Sequence, residues 1–167
     1  MNELAAQPTL PRFVRNPWLA AGLIVVVGAI CNFWAIEEAP LARTEGHRAI
    51  TGHQINQTGH WIVPTLFDKP YLRKPPLKYW VVAVTERVTG QADEWVWRLP
   101  SAVGAIVMAL TVWWFTRRWF GEPGGIAAGF TCLGLVAIWS QSRSAEIDSL
   151  NTLTSTVCSL GLIEIGF

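Results

Sequence analysis

Four apolar runs divide the chain, and the polar segments between them are very unequal in length. The first run, Trp18 to Ile36, carries no charge, and Asn32 is its most polar member. A helix of that length rises roughly 28 Å, close to a hydrocarbon core of about 30 Å. It is too long for the apolar part of a cleaved signal peptide, and no small-residue cleavage site follows it. It therefore predicts a retained transmembrane helix over 18–36. The second run, Leu99 to Phe115, enters at Pro100, where proline suits a first helical turn, and stops at Arg117-Arg118. The third, Gly124 to Trp139, is entered through Gly121-Glu122-Pro123-Gly124 and is extended by Ser140 and Gln141. The fourth starts near Ser149 and reaches Phe167, with no polar flank behind it. These patterns predict spans over 99–116, 124–140 and 149–167. The last reads as truncated, so the chain is expected to be the N-terminal part of a longer membrane protein.

Orientation follows from the Lys and Arg of short flanks. Arg12 and Arg15 precede the first run, and Arg117 and Arg118 lie between the second and third. If the runs alternate, both pairs fall on one side, which is then cytoplasmic. Residues 1–15 become a cytoplasmic tail, and 37–98 and 141–148 become external loops. The long loop is itself rich in Lys and Arg, but long segments weigh little in this rule. In either orientation the two polar loops share one face.

Within the long loop, Thr44 suits a helix cap and Glu45 a first turn, where the helix dipole stabilises a carboxylate. That helix should run to about Gln57 and stop at Gly59, with Gly46 and Gly52 weakening it. Trp61-Ile62-Val63-Pro64 then re-enters apolar surroundings. Pro70, Pro75 and Pro76 hold the next stretch extended, presenting Arg73, Lys74 and Lys78 on a stiff segment. A second short helix is expected from Leu77 to Thr89, ending at Gly90.

Composition supports a membrane setting. The chain is 51% hydrophobic and 15% charged, where a soluble domain carries about a quarter charged residues. A net charge of +1 offers no argument for nucleic acid. Ten tryptophans suit the membrane–water boundary. Cys31, Cys132 and Cys158 lie inside apolar runs and read as small buried hydrophobes. His47, His53 and His60 have spacings that match no metal motif such as His-x-x-x-His, and read as ordinary loop histidines. Glu37, Glu38, Asp93 and Glu94 mark helix ends, whereas Glu164, inside an apolar run, is a costly carboxylate that calls for a role.

Basic side chains at a membrane boundary suit a lipid phosphate. A carboxylate beside such a phosphate would be repelled unless it serves as a base or a metal ligand. Glu45, Glu146 and Asp148 are the candidates on this face. A non-catalytic membrane protein, such as a transporter or assembly subunit with a lipid-headgroup-binding loop, accounts for the apolar runs and boundary charges equally well.

Three features discriminate further. Glu45 is followed by a short helix and a Gly-x-Trp-x-x-Pro turn, Gly59 to Pro64. Tyr71 to Trp80 form a Tyr-Leu-x-Lys-Pro-Pro-Leu-x-Tyr-Trp string. Arg143 to Asp148 form an Arg-x-x-x-x-Asp element, and Arg98-Leu99-Pro100-Ser101 opens the second run. In these residues, over about 16–160, the chain resembles the membrane glycosyltransferases that use polyprenyl-phosphate sugars. That group includes the lipid A aminoarabinose transferases and the dolichyl-phosphate-mannose protein mannosyltransferases.

The resemblance implies an all-α integral membrane protein of GT-C type. The fold would be a multi-helix bundle, of which about four transmembrane helices fall in this chain, with short juxtamembrane helices in the external first loop. It implies transfer of a sugar from a polyprenyl phosphate to a lipid or protein acceptor, with inversion, at the external face of the inner membrane. Glu45 and Asp148 match the two loop acids, so either one takes the acceptor proton or holds a divalent metal, with His60 as a further candidate ligand. Lys74 matches the lysine of the Lys-Pro-Pro string, and Arg73, Arg143 and Arg48 are candidate partners of the donor phosphate. Many members carry an Asp-Glu pair with a tyrosine three residues on, where this chain has Thr44-Glu45 and Arg48.

Overall fold

The computed structural model describes residues 16–38, 40–41, 45–146 and 148–166. The expectations for the 1–15 tail, the Thr44 cap and Phe167 lie outside the described residues. Helix α1, Pro17–Phe33, begins where the Asn16 side chain accepts the Trp18 amide at 3.0 Å and proline takes the first helical position. It ends before Ile36, because the chain turns at Ala35, where φ is 54°. Helix α2, Glu45–Thr58, stops at Gly59 and helix α3, Leu77–Thr89, at Gly90. Both glycines have the positive φ that a left-handed helix stop requires, 75° and 68°.

The segment between α2 and α3 differs from the expectation. It is not uniformly extended but holds a short hairpin, β1 Thr65–Leu66 with β2 Lys69–Pro70, antiparallel, with Thr65 opposite Pro70. Phe67 and Asp68 make the turn, and the Tyr71 amide closes it onto the Pro64 carbonyl at 2.8 Å. Trp61 to Pro64 does not bury as a unit: Pro64 is buried but Ile62 is 87% exposed. Lys78 is not on a stiff extended segment. It lies in the first turn of α3 with Tyr79, Val82 and Ala83 on the helix's buried face.

Helix α4, Glu94–Gly134, departs most from the expected runs. It starts at Glu94 behind Asp93, so Pro100 lies inside the helix rather than in its first turn. At Gly121 the backbone leaves helical geometry, with φ 69° and ψ 178°, a conformation that glycine adopts without a Cβ penalty. The two arms then pack against each other in antiparallel fashion. A Cβ on Gly125 would lie 2.7 Å from Arg117 Cβ, and one on Gly129 3.2 Å from Trp113 Cβ. Glycine is what permits this approach.

The expected third run does not continue as one helix. Leu135 adopts an extended conformation (ψ 120°), and α5, Val136–Ser142, starts afresh. Helix α6 is Asp148–Gly166. Among the described residues, the one helix long and apolar enough to cross a membrane is Glu94–Gly134, with Pro17–Phe33 a shorter apolar helix.

The apolar core joins α1 to both arms of α4. Ala20, Ile24, Met108, Ala109, Trp113, Cys132 and Leu133 form one buried cluster. Gly28 faces Ile106 and Leu133 across this interface. At the Gly121 end, Trp113 donates to Glu122 at 2.9 Å, Arg117 stacks over Trp113 and Trp114, and Arg118 pairs with Glu164. The costly carboxylate of the fourth run thus has a cation partner, and its side chain is half exposed. A second, smaller core holds α2 to α3 through Ile55, Tyr79 and Ala83, edged by Trp61 and Tyr71.

Gly52 sits where α2 and α3 touch: a Cβ there would meet Val82 Cγ1 at 2.5 Å, whereas one on Gly46 would meet nothing within 4 Å. Gly52→Val should therefore cost about 1–3 kcal/mol by overpacking, while Gly46→Ala should gain about 0.5 kcal/mol through helix propensity. Thermal unfolding midpoints of the two variants should move in opposite directions. A Gly52→Val protein as stable as the parent would mean that this contact does not set the α2–α3 spacing.

Candidate functional site

The N-terminal parts of α2, α3 and α4 meet Ala145 and Glu146 around a buried group of charges. Glu45, at the start of α2, is 5% exposed, and Arg98, in the second turn of α4, is 2% exposed. They face each other side-on, with Arg98 Nε to Oε1 and Nη2 to Oε2 both at 3.4 Å. The Ala145 amide donates to the same Oε1 at 2.6 Å. Arg98 also donates to the Ile36 carbonyl at 2.7 Å and the Pro40 carbonyl at 3.3 Å. One carboxylate and one guanidinium therefore tie the end of α1, the start of α2, α4 and the second loop together. One turn along α2, Arg48 pairs with Glu146 at 2.5 Å.

Lys78 enters this group from α3. It is fully buried, and its Nζ donates to Ser101 Oγ at 2.9 Å. Ser101 in turn donates to the Glu146 carbonyl at 3.4 Å, and its own carbonyl accepts from Ser149 Oγ at 2.9 Å. Burial, with the Arg48 guanidinium acting in the same direction and Glu146 and Glu45 opposing, brings the Lys78 amine down to about 7. Burial likewise pushes the neighbouring Tyr79 phenol up to about 12, helped by Tyr71 and opposed by Arg48.

The other expected site residues divide into two sets. Arg143 caps α1: its guanidinium donates to the carbonyls of Cys31, Trp34 and Ala35 at 2.7–3.2 Å and lies over the Trp139 ring. Arg48 is engaged with Glu146. Arg73 and Lys74 are exposed on the bend before α3, and Asp148 is exposed at the first position of α6, three residues beyond Ala145. His60 is exposed beyond the α2 stop. Among the described residues, no group of three or more His, Cys, Asp or Glu side chains is placed to hold a metal ion. Both Glu45 oxygens already face Arg98, and one also takes the Ala145 amide. The residues present therefore do not form the Glu45, Asp148 and His60 ligand set considered above.

Sequence reasoning picked out Arg98 only as part of a motif and missed its role. A signal was available: an arginine opening a long apolar helix demands an acid partner. Lys78 carried a signal too, since Lys78 and Val82 are four apart and so share the face that α3 turns inward.

The arrangement can be set beside known proteins. The family model described as dolichyl-phosphate-mannose-protein mannosyltransferase matches residues 73–164, which include Lys74, Lys78, Arg98 and Asp148. The undecaprenyl phosphate-alpha-4-amino-4-deoxy-L-arabinose arabinosyl transferase of Aeromonas salmonicida is 26% identical over 120 residues, covering 71% of this chain and 22% of the relative. Its counterpart in Pseudomonas savastanoi pv. phaseolicola is 27% identical over 150 residues, covering 74% and 28%. The crystal structure of ArnT from Cupriavidus metallidurans bound to undecaprenyl phosphate superimposes with a TM-score of 0.70 at 26% identity. That match covers 84% of this chain and 26% of the other. The chain thus spans about a quarter of the length of the relatives it matches.

Removing one partner of a buried ion pair costs about 3–5 kcal/mol, because the other charge is left uncompensated. Arg98→Met should therefore destabilise the protein by that amount. Glu45→Gln placed in the Arg98→Met background should restore more than about 1 kcal/mol of it. Thermal unfolding of the single and double variants checks this, and strictly additive losses would rule out the coupling.

Proposed function

The chain belongs to the dolichyl-phosphate-mannose-protein mannosyltransferase family, and we propose that it forms the donor-side part of a GT-C membrane glycosyltransferase. The reaction moves a sugar from a polyprenyl phosphate to a hydroxyl of a lipid or protein acceptor at the external face of the inner membrane. The acceptor oxygen attacks the anomeric carbon from the side opposite the phosphate. A new C–O bond forms as the sugar–phosphate C–O bond breaks, the configuration inverts, and the lipid phosphate leaves with the electron pair. The printed activity of the relatives, and the undecaprenyl phosphate bound to ArnT, support this class of donor.

The single observation that carries the reading is the meeting of the two polar loops. The Ala145 amide lies on Glu45, Glu146 lies on Arg48, and the exposed Asp148 follows directly. In this reading Lys74 and Arg73, exposed on the bend before α3, receive the donor phosphate and stabilise the charge it gains on leaving. Asp148 takes the acceptor proton, because it is the loop acid left open to solvent. Glu45 holds the loops in register from beneath, its oxygens committed to Arg98 and Ala145. Arg48 and Arg143 contribute by fixing the same frame, one through Glu146 and the other through the end of α1. The four-span topology, with the 1–15 tail inside and the 37–98 and 141–148 loops outside, belongs to the same proposal.

The test is sugar transfer by the full chain in membranes supplied with a radiolabelled polyprenyl-phosphate sugar. Asp148→Asn should lose about 10²–10⁴-fold in rate, the range of a general base. Lys74→Ala should lose at least about tenfold. Both variants should insert normally, since both side chains are exposed. An Asp148→Asn protein that transfers at the parental rate would overturn the assignment of the base. A parent that consumes none of a panel of such donors would leave the non-catalytic, headgroup-binding reading in its place.

A further inference from the structure

Lys78 is the one lysine in the buried group, and the mechanism above does not use it. Its surroundings are unusual. Two carboxylates and two guanidiniums stand around it as Glu45 with Arg98 and Glu146 with Arg48. These four charges already balance, so a proton on Lys78 adds a third positive charge, on a side chain that is itself fully buried. Its hydrogen bond goes to a neutral hydroxyl, while each nearby carboxylate is held by an arginine.

Ser101 is what gives the lysine leverage. Its hydroxyl takes the Lys78 hydrogen bond and reaches the Glu146 carbonyl, and its carbonyl receives Ser149 Oγ. Glu146 and Ser149 stand on either side of Asp148. We propose that Lys78 is a positioning residue for Asp148, holding through Ser101 the residues that flank it, and that a proton on its amine disturbs that hold. The proposal rests on the reading of Asp148 as the proton acceptor.

Charged groups face the amine from each element packed on it. Helix α2 supplies Glu45 and Arg48, the second loop supplies Glu146, and Arg98 of α4 stands behind Glu45. Tyr79 is the next residue on α3. With the amine neutral, the two ion pairs keep their arrangement and the Ser101 node is undisturbed. With the amine charged, the ammonium repels Arg48 and draws the Glu146 carboxylate away from it. Glu146 is two residues from Asp148, so the acid moves off its position. Transfer should therefore rise as Lys78 loses its proton.

Stability should follow the same group. The amine's folded value of about 7 lies below its ordinary 10.5. Between these values the folded chain binds fewer protons than the unfolded one, so stability rises with pH from 7 upward. Below 7 both states are protonated and the cost of the buried charge is present in full.

The experiment compares the full chain, purified in detergent and reconstituted in vesicles, with Lys78→Met and Lys78→Arg. In the first arm the thermal midpoint of the parent should climb between pH 7 and 9, and Lys78→Met should remove that slope. Parallel curves would overturn the proposal. In the second arm, transfer from a radiolabelled polyprenyl-phosphate sugar is read at pH 6 and pH 8. The parent should gain about tenfold over that interval, as a group with a midpoint near 7 requires. Lys78→Met should gain less than about twofold, and Lys78→Arg should stay at the parent's low-pH rate throughout.

A Lys78→Met protein that keeps the parental ratio would show that the amine does not position the acid. Lys78→Gln repeats both arms if the methionine variant does not insert. A purely structural lysine would change the amount of folded protein and leave the pH ratio alone. If the parent transfers no sugar at all, the functional reading falls, and the first arm still decides whether Lys78 is the group that titrates.

Discussion

The side-on pair between Glu45 and Arg98 is the constraint on which the rest of the polar region depends. Both side chains are almost fully buried, and charges taken out of water are tolerated only when they meet each other and further hydrogen-bond partners. Arg98 finds its remaining acceptors in the Ile36 and Pro40 carbonyls, and Glu45 finds a donor in the Ala145 amide. Satisfying one ion pair thus draws four chain segments to one point. The same demand recurs one turn away in Arg48 and Glu146, so the second loop is held twice.

This polar junction stands on an apolar frame whose shape comes from small residues. Gly121 lets α4 leave helical geometry, and Gly125 and Gly129 let its arms approach. Gly28 does the same for α1, which lies against both arms. The second loop is then fastened to the end of α1 by polar contacts. Asn32 Nδ2 donates to the Gly28 carbonyl, its Oδ1 accepts from Ser142, and Arg143 closes the carbonyls at the end of α1. An asparagine inside an apolar helix would be costly if unpaired, and here both ends of its amide are used. The second loop, which runs into Asp148, is thereby fastened to the end of α1.

Parts of this were legible from local chemistry. The stops of α2 and α3 at Gly59 and Gly90 were readable because a left-handed stop favours glycine. The sharing of one face by the two polar loops followed from the order of apolar runs. The hairpin at 65–70 was not legible, since its turn residues, Phe67 and Asp68, carry none of the glycine that usually marks such a turn. The early start of α4 was missed because an internal proline looks like a beginning.

The sequence by itself determined what depends on neighbours along the chain: the apolar runs, the glycine stops, the proline-rich string that carries Arg73 and Lys74, and the motif order that marks the family. Tertiary structure alone decided which charges meet. Glu45 and Arg98 are far apart along the chain, and nothing local distinguishes Glu45, which becomes buried and committed, from Asp148, which stays open. Lys78 and Lys74 belong to one short string, yet one turn of helix sends the first into the core and leaves the second outside. Burial depends on which face another element covers, and that covering is a property of the packed helices, not of the string.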